Sequence, residues 1–116
     1  MKVRELAEQL NMKVISGTSG IENEITGGYS SDLLSDVLGH AQEGNLWITL
    51  QTHKNVMAIA SLKDLAGVVL VNNNQPEQEM IDHSNEEHIP VMLTKESAFS
   101  INGKIYNFIN IYNNLE

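Results

Sequence analysis

The sequence predicts an α/β domain, with a mostly parallel sheet in a three-layer α/β/α arrangement and mixed pairing at the N-terminal edge. From residue 46 onward, apolar strands alternate with helical segments, which is typical of βαβ units and parallel pairing. Residues 67–71 read Gly-Val-Val-Leu-Val, a run suited to a central strand covered on both faces. At 116 residues, the chain is expected to form a single domain over residues 1–116.

The N-terminal half is less regular than the rest. Apolar residues at helical spacing predict a helix over residues 2–10, and residues 13–16 are typical of a short strand. After a turn-rich loop, residues 25–30 are weakly strand-like and contain Gly27 and Gly28, which favour a bulge or a close backbone approach. Ser31 can cap the next helix, with Asp32 in its first turn.

The C-terminal half gives clearer signals. Strands are predicted over residues 46–50, 67–71 and 89–93. The helix predicted over residues 55–65 is apolar almost all round, so it is expected to be mostly buried. Pro76 fits the first position of another helix, and Thr94 can cap a last helix that Gly103 weakens.

Charge limits the classes of partner. The chain has 15 acidic and 7 basic residues and a formal net charge of -8. Nucleic-acid binding requires a basic surface, and anionic membranes attract basic segments, so neither partner is expected. An acidic surface that keeps the protein soluble is a sufficient explanation of this charge.

The residue types also exclude several kinds of chemistry. Without cysteine there can be no disulfide, thiolate nucleophile or cysteine-ligated metal site. No cofactor is expected. The N-terminus resembles no secretory signal and the apolar runs are too short to span a bilayer, so we expect a cytoplasmic protein.

Polar side chains follow the strand predicted over residues 46–50. Thr49, Gln51, Thr52 and His53 lie at the end of this strand, directly before a helix. Ligands of open parallel sheets bind beyond the carboxyl ends of the strands, and helix N-termini attract anions. These residues are therefore candidate ligand-binding groups, with Thr52 as a cap, although loop polarity and capping alone also explain them.

A second candidate segment lies around the glycine pair. It comprises Thr26, Gly27, Gly28, Tyr29, Ser31 and Asp32, whose glycines could let backbone amides approach a ligand. No lysine follows the glycines as in a Walker loop, and the third glycine of a dinucleotide fingerprint is missing. A structural turn is the simpler interpretation of this segment.

The remaining polar residues give no motif. His40, His83 and His88 lack metal-ligand spacing and are expected at the surface, so no metal site is predicted. Asp32 and Asp36 would share a helix face, where a solvated helix start is favoured over a cation site. Trp47 is expected in the core or at an interface, and no hydrolytic triad is supported.

Three stretches together resemble the DRTGG domain family of bacterial and archaeal regulatory proteins. They are Thr-Gly-Gly-Tyr at residues 26–29, Ser-Asp-Leu-Leu-Ser-Asp-Val at 31–37 and Glu-Gly-Asn-Leu-Trp-Ile-Thr-Leu-Gln-Thr-His at 43–53. The similarity runs over nearly the whole chain. The Asp-Arg of the family name is absent, since Glu-Asn-Glu-Ile precedes Thr26. A role for that arginine in anion binding is therefore not expected here.

The resemblance implies an α/β/α regulatory or dimerisation module without catalytic activity. Members of the family occur alone, fused to phosphate acetyltransferases, and between CBS domains of regulatory pyrophosphatases; the fold is similar to the N-terminal domain of HPr kinase/phosphorylase. A kinase activity is not expected because no phosphate-binding loop is present. The resemblance implies a homodimer, and a buried Trp47 or Tyr29 at its interface would fit this expectation. The resemblance and the two polar segments together suggest a small anionic metabolite or nucleotide as the ligand.

Two alternatives remain open from the sequence. The chain could be a small phosphoryl- or acyl-transfer enzyme or a hydrolase that uses His53 with Asp32, which requires these side chains to face each other. It could also be a structural partner subunit of a larger complex.

Overall fold

A five-stranded sheet forms the centre of the molecule. The computed structural model describes residues 1–114. Its strand order is β1-β5-β4-β3-β2, and all neighbours are parallel except β1 and β5, which are antiparallel. The strands are β1 (Lys13–Ser16), β2 (Gly27–Ser30), β3 (Asn45–Thr49), β4 (Gly67–Leu70) and β5 (Val91–Leu93).

Helices cover both faces of the sheet. Buried side chains of α1 and α5 form one apolar cluster with the sheet, and those of α2, α3 and α4 form another on the opposite face. The helices are α1 (Val3–Gln9), α2 (Leu34–His40), α3 (Asn55–Leu62), α4 (Gln78–Glu87) and α5 (Ala98–Asn114). The predicted fold class is therefore confirmed, including mixed pairing at the β1 edge.

The central strands are buried on both faces, as their apolar sequences predict. Every residue of β3, β4 and β5 is buried. Trp47 of β3 is fully buried, and its Nε1 donates a hydrogen bond of 2.8 Å to the Ser31 carbonyl. Its predicted core position is thus correct, whereas the interface position is wrong because the domain's own core encloses the indole.

Three predicted caps, at Ser31, Thr52 and Thr94, are wrong, and α2 has Leu33 as its N-cap residue with no side-chain cap. No side chain caps α3, whose N-cap residue is Lys54 rather than Thr52. Thr94 Oγ1 accepts a hydrogen bond from the backbone N–H of Glu96. Glu96 lies two residues before the start of α5, so this bond does not cap the helix. Ser97 Oγ instead accepts the N–H of Ser100, at 3.3 Å. Ser97 thus caps α5 in place of Thr94, whereas no side chain replaces Thr52 at α3.

Two helices begin later than predicted. The helix expected from Ser31 begins at Leu34, because Asp32 is bonded to β3 instead of lying in a first turn. The shared helix face expected for Asp32 and Asp36 is therefore wrong. Pro76 is not the first helical residue, since α4 begins at Gln78.

Candidate functional site

The carboxyl ends of β2 and β3 are joined by one carboxylate. Asp32 Oδ1 accepts a hydrogen bond of 2.8 Å from Thr49 Oγ1 and one of 2.9 Å from the Leu50 backbone N–H. Gln51 Nε2 donates to the Asp32 carbonyl at 3.0 Å. These contacts bring together two segments that the sequence analysis treated separately. We call Ser31, Asp32, Thr49, Gln51, Thr52 and His53 the β2–β3 rim.

Thr49 belongs to the framework of this rim. Its side chain is buried, with 2% of the residue exposed. Its hydroxyl donates to Asp32 and accepts the Gln51 N–H at 3.2 Å, so both functions of the hydroxyl are used within the protein. Thr49 therefore fixes the ends of the strands and offers little to a ligand.

Thr52 and His53 are the free side chains of the rim. The Thr52 carbonyl accepts the Glu77 N–H at 2.9 Å, which attaches this loop to the start of α4. Within residues 1–114, neither the Thr52 hydroxyl nor the His53 imidazole has a hydrogen-bond partner. Thr52 is half-buried and His53 is exposed, so both can reach a molecule placed before α3.

Ser31 and Tyr29 contact a second carboxylate, that of Asp36. The Tyr29 hydroxyl lies 2.9 Å from each oxygen of Asp36, and His40 Nδ1 lies 3.1 Å from Oδ1. Hydrogen bonds from Ser31 and then Tyr29 lower the pKa of Asp36, and the bond to Asp36 raises the pKa of Tyr29. Tyr29 is thus held against α2 by its own domain.

Thr26 and Gly27 lie at the amino ends of the parallel strands, whereas the rim lies at their carboxyl ends. Gly27 pairs with Asn45 at the amino ends of β2 and β3. Thr26 Oγ1 donates to the Glu43 carbonyl at 2.7 Å and accepts from Asn45 Nδ2 at 3.2 Å. The prediction that the whole glycine segment lies with the β2–β3 rim is therefore wrong for Thr26 and Gly27. The length of β2 separates these two residues from the rim.

Gly28 faces a groove between β2 and α5. A Cβ at this glycine would meet Ile48 Cδ1 at 3.6 Å, an ordinary contact, so close packing does not require the glycine. The groove has a volume of about 640 Å³, and Phe99 and Tyr106 of α5 line it. We call it the α5 groove.

The residues proposed for acid–base chemistry do not meet. Within residues 1–114, no hydrogen bond or ion pair joins His53 to Asp32. One carboxylate oxygen of Asp32 already accepts two hydrogen bonds from β3 and its extension. This arrangement lacks the base-to-acid contact that the enzymatic alternative requires.

The other histidines lie apart. His40 bonds Asp36, His88 Nδ1 lies 2.6 Å from Ser19 Oγ, and His83 lies 3.9 Å from Glu87. In the part of the chain that the structure describes, no group of three or more His, Cys, Asp or Glu residues could hold a metal ion. No described helix is long and apolar enough to cross a membrane.

Comparison with known proteins decides the family. The model of the DRTGG domain family matches residues 5–108 of this chain. The chain belongs to the DRTGG domain family. A comparison with curated proteins gives no match.

A solved structure of a DRTGG-containing protein has the same fold. It is the CBS and DRTGG regulatory region of Clostridium perfringens pyrophosphatase, complexed with its activator diadenosine tetraphosphate. The TM-score is 0.65 at 11% identity, over 90% of this chain and 45% of that one. This DRTGG domain thus spans less than half of that regulatory region.

The stretch before the glycines, where this DRTGG domain lacks Asp-Arg, is attached to α1. Arg4 Nε lies 2.7 Å from Glu22, and Lys2 Nζ lies 3.1 Å from the same carboxylate. Hydrogen bonds from Arg4 and then Lys2 lower the pKa of Glu22 to about 2. The basic groups near this stretch are therefore engaged by an acidic side chain of the domain itself.

We expect Asp32→Ala to destabilise the domain by about 1.5–3 kcal/mol, because the buried Thr49 hydroxyl and the Leu50 N–H lose a charged acceptor. Asp32→Asn retains an oxygen acceptor and should cost less. Urea unfolding followed by the fluorescence of Trp47 measures both changes. The matched control is Asp82→Ala on α4, whose carboxylate accepts only from Gln78, on the surface. A cost for Asp32→Ala no larger than that of the control would contradict the framework role.

Proposed function

We propose that this DRTGG domain is a non-catalytic regulatory module that recognises a small anionic metabolite or nucleotide and acts as a cytoplasmic homodimer. The observation that supports it most is that the β2–β3 rim contains both bonded and unbonded polar side chains. Asp32 and Thr49 are used to join the strands, whereas Thr52 and His53 are left without partners. Such a rim suits reversible contact with a ligand better than proton transfer.

The position of the free groups favours an anionic ligand. They directly precede α3, and no side chain caps that helix. The Val56 and Met57 N–H groups are bonded to the His53 and Lys54 carbonyls. Within residues 1–114, the N–H groups of Lys54 and Asn55 have no partner and can meet an oxygen of phosphate or carboxylate. The structural relative, a pyrophosphatase regulatory region, is complexed with an adenine nucleotide activator, which makes nucleotides the first class to test.

The α5 groove supports self-association. Phe99 is 92% exposed and Tyr106 is 72% exposed. Aromatic side chains are enriched at protein interfaces, so these two exposed residues are candidates for contact with a second copy. β2 borders the same groove and is the last strand in the sheet order, with β3 as its one neighbour. A second copy related by a two-fold axis would cover the same surface on both molecules.

Ligand binding at the rim should depend on the imidazole of His53. In a thermal-shift screen of adenine nucleotides and acyl phosphates, a ligand at 100 times its Kd should stabilise the domain by about 2.7 kcal/mol. His53→Ala should reduce that shift, and His83→Ala on α4 should leave it unchanged. Absence of a shift with every anion, or a shift that His53→Ala leaves intact, would refute recognition at this rim.

Self-association should depend on the exposed aromatic residues of α5. Light scattering should give twice the monomer mass for the native chain and the monomer mass for Phe99→Ser combined with Tyr106→Ser. Leu62→Ser is the matched control, because Leu62 is 71% exposed on α3 across the sheet. A native chain that is monomeric at every concentration would rule out the dimer, and a dimeric double variant would rule out this surface.

A further inference from the structure

A basic groove lies at the carboxyl edge of the sheet beside β1 and β5, on the side away from the β2–β3 rim. It has a volume of about 800 Å³ and is lined by Lys13, Lys95 and Lys104. The whole chain has only 7 basic residues against 15 acidic ones, so this grouping opposes the overall charge. We call it the lysine groove.

Different elements supply the three lysines. Lys13 begins β1 and pairs across the antiparallel ladder with Leu93, the last residue of β5. Lys95 follows β5 by two residues, and Lys104 lies on α5. The antiparallel pairing therefore places the start of β1 at the carboxyl end of β5, the edge at which parallel sheets bind ligands.

Most of the positive charge in this groove is uncompensated. Glu96 is the one acidic residue in its lining, and Lys104 Nζ binds that carboxylate at 2.7 Å. Ser100 Oγ donates a further hydrogen bond of 2.6 Å to the same oxygen. Within residues 1–114, Lys13 and Lys95 have no ion-pair partner.

Backbone hydrogen bonds join the loops after β4 and β5, which both contribute residues to the groove. The Asn73 N–H donates to the Thr94 carbonyl at 2.8 Å, and the Asn72 N–H donates to the Glu96 carbonyl at 2.9 Å. Both asparagines have positive φ, of 55° at Asn72 and 54° at Asn73. Consecutive left-handed residues cost free energy, so the loop after β4 is held in this shape by its bonds to the loop after β5.

We propose that the lysine groove binds a compact polyanion with two or more phosphate groups, through the ammonium groups of Lys13 and Lys95. Leu10, Ile15 and Leu93 line the same groove and can contact an apolar part of such a molecule. An extended polyanion such as nucleic acid would also meet the acidic remainder of the surface, whereas a compact one meets only the local positive charge. This site is distinct from the β2–β3 rim and does not depend on the function proposed there.

Titration calorimetry of the full chain with sodium triphosphate tests the site. Lys13→Gln and Lys95→Gln should each weaken binding by about tenfold, since each removes one charge-assisted contact. Lys63→Gln is the matched control, because it removes the same charge and Lys63 lies just after α3, outside the groove. His53→Ala should leave triphosphate affinity unchanged, which separates this site from the rim.

Three results would overturn the proposal. Triphosphate could give no binding heat at millimolar concentration. Lys63→Gln could weaken binding as much as the two groove variants do, which would indicate a response to net charge alone. Finally, His53→Ala could abolish binding while the groove variants retain it, which would place the anion at the rim. Circular dichroism of each variant establishes that it is folded.

Discussion

The Asp32 carboxylate is the contact on which the carboxyl edge of this domain depends. β3 and β4 are buried along their whole length, so their polar groups can meet solvent only where the strands end. β2 is a short edge strand, and its end would be poorly fixed without a contact to its neighbour. The Ser31 N–H and carbonyl bond to Ile48 and Trp47 of β3, and Asp32 extends these contacts past the ends of the strands by accepting the Thr49 hydroxyl and the Leu50 N–H.

Charge divides this edge into two regions. The β2 side contains Asp32 and Asp36, both engaged by hydrogen bonds within the domain. The β1 side contains Lys13 and Lys95, which are unpaired in the described residues. A local excess of positive charge on an acidic protein repels extended polyanions and favours a small one, as proposed for the lysine groove. This division agrees with the proposed module that responds to metabolites, and it separates the two places on the carboxyl edge at which we propose a ligand.

Local patterns predicted the fold well and the site only in part. Apolar runs and helical spacing identified α1 and the central strands, because burial on a sheet or helix face leaves a periodic signal. β2 gave only a weak signal, since it reads Gly-Gly-Tyr-Ser, and α4 was predicted from Pro76 instead. The position of Asp32 could not be predicted, since capping preferences are local and Thr49 lies 17 residues further along the chain. The lysine groove was missed for the same reason, because only the antiparallel pairing of β1 with β5 brings Lys13 near Lys95.

Amide hydrogen exchange at Leu50 tests the central contact most directly. Leu50 follows β3 and is 44% exposed, so its amide would exchange rapidly if it were part of an ordinary loop. Its bond of 2.9 Å to Asp32 predicts slow exchange, with protection similar to that of the amides within β3. Exchange of the Leu50 amide at the rate of an unstructured peptide would contradict the account of this edge.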